Sequence, residues 1–219
     1  LSCAEALSMA DRFRGKMKDL FIETMIHYLV LDRSYAERPD FEGAKWVLSP
    51  PLRETGDQEA LWAALADGRM DTLGTDHCPF DFEGQKTLGR GDFTKIPNGI
   101  DGVIRPAATP AVQASAMRSS TPPITPERLA AVAAENPAKI FGLFPRKGTI
   151  APGSDADLVV WDPSARRTIS VKTQSLDTDY NPYEGFETAG APEVVTVRGE
   201  IMVRGGRFVG TPGRGRLVL

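Results

Sequence analysis

Residues 70–80 read MDTLGTDHCPF. An apolar run passes into an acid, an imidazole, a thiol and a proline within a few positions. MDTLGTD (70–76) predicts a strand, with Asp76 at its carboxyl end. Just upstream, DQEALWAALADG (57–68) places Leu61, Ala64 and Leu65 on one helical face and ends in a glycine stop at Gly68. Further upstream, DLFIET (19–24) and AKWVLSP (44–50) read as extended segments, the second halted by Pro50 and Pro51. The order helix, strand, loop, helix, strand, polar loop predicts a parallel α/β layout. In such layouts functional side chains gather at the carboxyl ends of strands, which is where Asp76 falls.

The chain opens LSCAEALSMADRF, already at helical spacing and without an initiator methionine. Ser2 and Glu5 suit a capping box, and residues upstream of Leu1 are expected. Downstream, ITPERLAAVAAENPAKIFG predicts a helix capped by Thr125 with Pro126 in its first turn, then a short helix over PAKIFG. From Lys147 the chain turns to short β-rich runs punctuated by glycine and proline. Val194–Val197 and Ile201–Val203 read as a hairpin core. Two units are therefore expected: 1–146 in the α/β part and 147–219 as a small all-β module.

Composition sets outer limits. Of 219 residues, 41% are apolar and 25% charged, as in ordinary globular proteins. A net charge of −3 argues against nucleic acid or an anionic membrane as partner. No apolar run approaches the ~18 residues that a membrane helix needs, and no basic segment followed by an apolar one opens the chain. The two cysteines, Cys3 and Cys78, form neither a disulfide framework nor a CxxC metal pattern, so a reducing cytoplasmic setting is expected. The only histidines are His27 and His77, which limits any metal chemistry.

Several stretches, in order, carry a resemblance: AKWVLSPPLR (44–53), TDHCPF (75–80), GQKTLGRGDFTKIPNG (84–99), NPAKIFGLFPRKGTIAPGSDADLVVWDP (136–163) and DYNPYEG (179–185). Together they resemble the C-terminal part of the dihydropyrimidinase and D-hydantoinase group of cyclic amidohydrolases. GSDADLVVWDP recurs across many amidohydrolases. GRGDFTKIPNG is narrower and points to hydantoinases rather than to allantoinases or dihydroorotases.

The resemblance implies the C-terminal portion of a metal-dependent (β/α)8 barrel, followed by an incomplete composite β-sandwich. It implies two divalent metals, zinc first among them, bridged by hydroxide and a carboxylated lysine. Asp76 then corresponds to the aspartate that binds the more exposed metal and carries a proton from the attacking hydroxide to the leaving nitrogen. Ser49 and Asn98 correspond to positions whose backbone groups hold the cyclic amide or imide. The implied reaction opens dihydropyrimidines or hydantoins to N-carbamoyl amino acids, in a homotetramer or homodimer. His27, in ETMIHYL where the family tends to have ETCPHYL, reads as structural. His77 reads as a packing or supporting residue, and Cys78 as a small buried hydrophobe.

Two departures matter. The His-x-His pair, the bridging lysine and two further histidines of the family are not in this sequence, which leaves Asp76 as the sole expected ligand. The sequence alone therefore also admits a non-catalytic chain, either a truncated remnant or an assembly or binding relative. The second departure is VIRPAATPAVQASAMRSSTPP (103–123), with four prolines and no amphipathic period where the family has an arginine-bearing helix. A local reading-frame fault and a divergent loop both fit that stretch. Neither would position substrate.

Overall fold

The computed structural model describes residues 1–102 and 124–218. The stretch 103–123, with its four prolines, lies outside the described residues.

The first part of the chain is built around two short parallel strands. Helix α1 (Ala4–Phe13) leads to strand β1 (Glu23–Met25), followed by short helices α2 (Ile26–Val30) and α3 (Arg33–Ala36). A 3-10 turn over Glu42–Trp46 and helix α4 (Thr55–Asp67) lead to strand β2 (Thr72–Gly74). β1 and β2 pair in parallel, Thr24 opposite Leu73. A parallel pair needs a crossover between its strands, and α4 lies in it. Leu61, Ala64 and Leu65 are fully buried on α4, as its spacing predicts, and Gly68 ends the helix in the left-handed region at φ 94°. Trp62 is buried too and donates its indole N–H to Leu29 O at 2.9 Å.

Three local expectations are corrected. The strand expected over 19–24 is confined to Glu23–Met25, because its neighbour β2 offers only three residues to pair with. The extended reading of 44–50 fails at its start, where residues 44–46 belong to the 3-10 turn. Val47 and Leu48 form no ladder, since the Val47 carbonyl accepts instead from Gly99 N–H at 3.0 Å and Lys86 Nζ at 3.0 Å. The capping box of α1 is absent as well. Its N-cap is Cys3 with no side-chain bond, and the free N–H of Ala4 is met by Asp57 from α4 at 2.8 Å. Ser2 Oγ accepts from Arg53 Nε at 3.3 Å.

Helix α5 (Pro126–Ala130) begins as expected, with Thr125 Oγ1 accepting Arg128 N–H at 3.2 Å and Pro126 in the first turn. A π-helical turn over Ala131–Glu135 joins it to α6 (Asn136–Ile140). The Asn136 amide donates to Asp71 O at 2.8 Å, tying this helical run to the start of β2.

The remaining strands form a four-stranded antiparallel sheet in the order β3 (Val159–Thr168), β4 (Glu187–Val197), β5 (Glu200–Arg204), β6 (Arg207–Phe208). β4 and β5 make the expected hairpin, with Val195 opposite Val203 and Val197 opposite Glu200. Its valines are only partly buried, so the hairpin is not a core. The main hydrophobic core runs through α2, α4, β2 and Ile100, and includes Leu29, Leu61, Leu65, Met70 and Val132. Among the described residues no helix is long and apolar enough to cross a membrane.

Candidate functional site

The carboxyl end of β2 is where the polar motif leaves the sheet. Two residues past the strand, Asp76 adopts φ 46°. That left-handed backbone is uncommon for a side-chain-bearing residue, and aspartate tolerates it better than most. The turn leaves Asp76 exposed at the strand end.

The segment 99–102 lies directly against this end. Cys78 N–H donates to Ile100 O at 3.0 Å. A Cβ on Gly102 would stand 1.8 Å from Thr75 O, and one on Gly99 would stand 2.7 Å from Cys78 O. Only glycine permits such contact between two backbones.

Ser49 and Asn98, 49 positions apart in sequence, meet in space. The Asn98 amide donates to Ser49 Oγ at 2.7 Å, and both residues are exposed. Tyr28 is tied to the Ser49 side of this pair. Its hydroxyl donates to the carbonyl of Pro50, next to Ser49, at 2.7 Å. Burial first, and the Asp76 carboxylate second, hold the Tyr28 phenol well above its ordinary range. Tyr28 therefore stays a neutral donor.

His77 has a defined partner. Its Nδ1 lies 2.9 Å from Oδ1 of the buried Asp101 and 3.3 Å from the Gly102 nitrogen. One ring nitrogen cannot accept from the amide and donate to the carboxylate together. The shorter contact, to the carboxylate, puts a hydrogen on Nδ1. Cys78 is a free, exposed thiol rather than the buried hydrophobe expected. The cause is the turn after Asp76, which carries it outward.

His27 lies in the core with 1% of its surface exposed. Burial, with a smaller contribution from the Leu1 amine, lowers its pKa to about 4, so it is neutral near pH 7. Its ring packs edge-on to Tyr28, centroids 4.2 Å apart.

Two residues that hold the site were not singled out by sequence reasoning. Lys86, fully buried, reaches the carbonyls of Val47, Pro97 and Gly99. Asp179 accepts the N–H groups of Phe82 and Glu83 at 2.7 and 2.9 Å, fastening DYNPYEG to the loop after the TDHCPF motif. Tyr180 OH donates to Lys45 O at 3.0 Å and Trp46 Nε1 to Pro182 O at 3.1 Å, which strengthens that seam. Both residues sit inside stretches that carry the resemblance, yet nothing in their spacing marks them out.

The donor set does not by itself fit a metal centre. Among the described residues no three His, Cys, Asp or Glu side chains gather to hold an ion. Asp76 offers one carboxylate, and His77 has one nitrogen committed to Asp101.

The profile of the amidohydrolase family matches residues 25–202. The chain is 50% identical over 218 residues to the D-hydantoinase of Geobacillus stearothermophilus, covering 100% of this chain and 45% of that protein. It is 40% identical to the D-hydantoinase of Ralstonia pickettii, again along its full length and over 47% of that protein. Among solved structures, a D-hydantoinase (dihydropyrimidinase) from Thermus sp. superposes with a TM-score of 0.90 at 50% identity, covering 99% of this chain and 46% of that one. The L-hydantoinase of Arthrobacter aurescens superposes at 0.81 with 27% identity, over 96% of this chain and 45% of that one. The chain thus spans slightly less than half the length of the curated relatives it matches. With the profile covering most of its residues and these folds superposing along it, the chain belongs to the amidohydrolase family.

Proposed function

We propose that the protein hydrolyses cyclic amides in the manner of a hydantoinase, opening dihydropyrimidine or hydantoin rings to N-carbamoyl amino acids. The observation that carries this reading is the meeting of Ser49 and Asn98 at 2.7 Å, on a segment whose Ile100 carbonyl accepts from Cys78 N–H, two residues past Asp76. A cyclic imide presents alternating carbonyl and N–H groups, and backbone amides and carbonyls on two converging loops can match them without any charge. In this reading Ser49 and Asn98 hold the ring through their backbones. Asp76 takes the proton of the attacking hydroxide and delivers it to the amide nitrogen as the C–N bond breaks. The names of the relatives support the substrate class.

We assign the reaction a divalent metal, and in finer detail two ions, zinc first, with a carboxylated lysine between them. Asp76 would be one ligand, and the remaining donors lie outside this sequence. We place residues 1–146 in the C-terminal part of a (β/α)8 barrel and 147–219 in a small β-sandwich module. A homotetramer or homodimer in the cytoplasm is the accompanying expectation. The second reading is a non-catalytic chain, either a truncated remnant or an assembly or binding relative; Asp76, kept at the strand end, favours the hydrolase.

The test measures N-carbamoyl product from dihydrouracil and from hydantoin, together with bound metal. Turnover with about two metals is expected once the family's other donors are present, and neither for the 219 residues alone. Turnover by the 219 residues alone would overturn the ligand assignment. No turnover in either form would leave the non-catalytic reading.

A further inference from the structure

Lys86 is the least expected core residue of this chain. Its side chain has no exposed surface. Lysine is rarely buried so fully, because an ammonium ion out of water is costly unless its protons find acceptors. Here there is an acceptor for each. Nζ donates to Val47 O at 3.0 Å, to Pro97 O at 2.7 Å and to Gly99 O at 2.7 Å. The Phe80 ring lies 5.6 Å from the same nitrogen. Burial lowers the ammonium to about 8, but an uncharged amine has only two hydrogens for three carbonyls. The geometry fits the cation.

These three carbonyls come from two segments. Val47 stands two residues before Ser49, and Pro97 and Gly99 flank Asn98. Gly99 N–H also donates to Val47 O, at 3.0 Å. At the exposed end of the same junction, the Asn98 amide meets Ser49 Oγ. The two segments are thus joined by the ammonium within and by the side-chain bond without. Neither joint alone would fix both their separation and their tilt. A compact cation with three tetrahedral donors suits convergent carbonyls, whereas the flat fork of arginine suits paired oxygens in one plane.

We infer that Lys86 is a positioning residue that sets the gap between the Ser49 and Asn98 segments, and through that gap the affinity for the ring held between them. The inference rests on the proposed role of those two positions. A lysine that served only the core would change stability and leave the balance of KM and kcat alone.

The test uses the form in which the family's other metal donors are present and metal is bound, with ring opening of dihydrouracil and hydantoin measured first for the wild type. An inactive wild type overturns the proposed function, and this inference with it. With an active wild type, Lys86→Met is expected to raise KM about tenfold or more and to change kcat less than about threefold, with bound metal unchanged. Lys86→Arg, which keeps the charge and the donors, is expected to recover part of the affinity. A Lys86→Met protein with KM within about twofold of wild type overturns the inference, as does a kcat that falls in step with lost metal. If Lys86→Met does not fold, Lys86→Arg and Lys86→Gln carry the comparison. A KM rising from wild type through Arg to Gln supports it, and one flat across the three overturns it. Failure of all three variants to fold assigns the lysine to the core alone and overturns it too.

Discussion

The two sheets of this molecule are stabilised in opposite ways. The parallel pair β1–β2 has only three residue pairs, yet it lies in a core where Leu29, Leu61, Leu65 and Met70 have no exposed surface. The antiparallel sheet β3–β6 has long ladders, yet Val159 is 58% and Phe208 64% exposed. Burial fixes the first and backbone pairing fixes the second. The difference teaches where chemistry can be placed. A strand end clamped by a core can hold side chains and carbonyls to a fixed geometry, whereas an open sheet face cannot.

The sharpest way to break this comparison is at the clamped strand end. Asp76→Asn removes the carboxylate but keeps a residue that tolerates a left-handed backbone. In the form in which the family's other metal donors are present, kcat for ring opening is expected to fall about 10³-fold with the unfolding temperature unchanged. A kcat within about tenfold of wild type would remove Asp76 from the chemistry. The next effect is on stability. Leu61→Ala is expected to cost about 2–5 kcal/mol by urea unfolding. Val159→Ala, on the open sheet, is expected to cost less than about 1 kcal/mol. Equal losses would mean that the exposed face is covered in solution.

The third effect depends on pH. His27 is neutral in the fold with its pKa lowered to about 4, against an ordinary value of 6.5. As pH falls below 6.5 the unfolded chain takes up this proton first, so stability that is complete above 6.5 is lost down to pH 4. The loss is about 3 kcal/mol. Urea unfolding at pH 7 and pH 4.5 measures it, and His27→Leu should reduce the difference. An unchanged pH slope in that variant would place the acid sensitivity elsewhere.

The same contrast explains what could be read from the sequence. Helix α4, its buried face and its glycine stop were legible because period and cap are local, and so was the Thr125–Pro126 start of α5. The β4–β5 hairpin was legible from its two β-rich runs. The ends of β1 were not, because a strand stops where its neighbour stops. The fate of Val47 was not, because its carbonyl is claimed by groups 39 and 52 positions away. Asp76, Ser49 and Asn98 came from the resemblance, and the Ser49–Asn98 contact needed coordinates. Lys86 and Asp179 bond to backbone, which leaves no mark in side-chain patterning.

The glycine contacts at the strand end have a consequence for how this protein could change. A methyl group at position 102 would collide with the backbone of Thr75, and one at 99 with that of Cys78. Single substitutions at either position therefore push the whole loop off its seat instead of reshaping it by degrees. A library of variants selected for larger or smaller rings should return almost no hits at these two glycines. New specificity would have to arise in neighbouring loops, with this one kept as the fixed edge against which they vary.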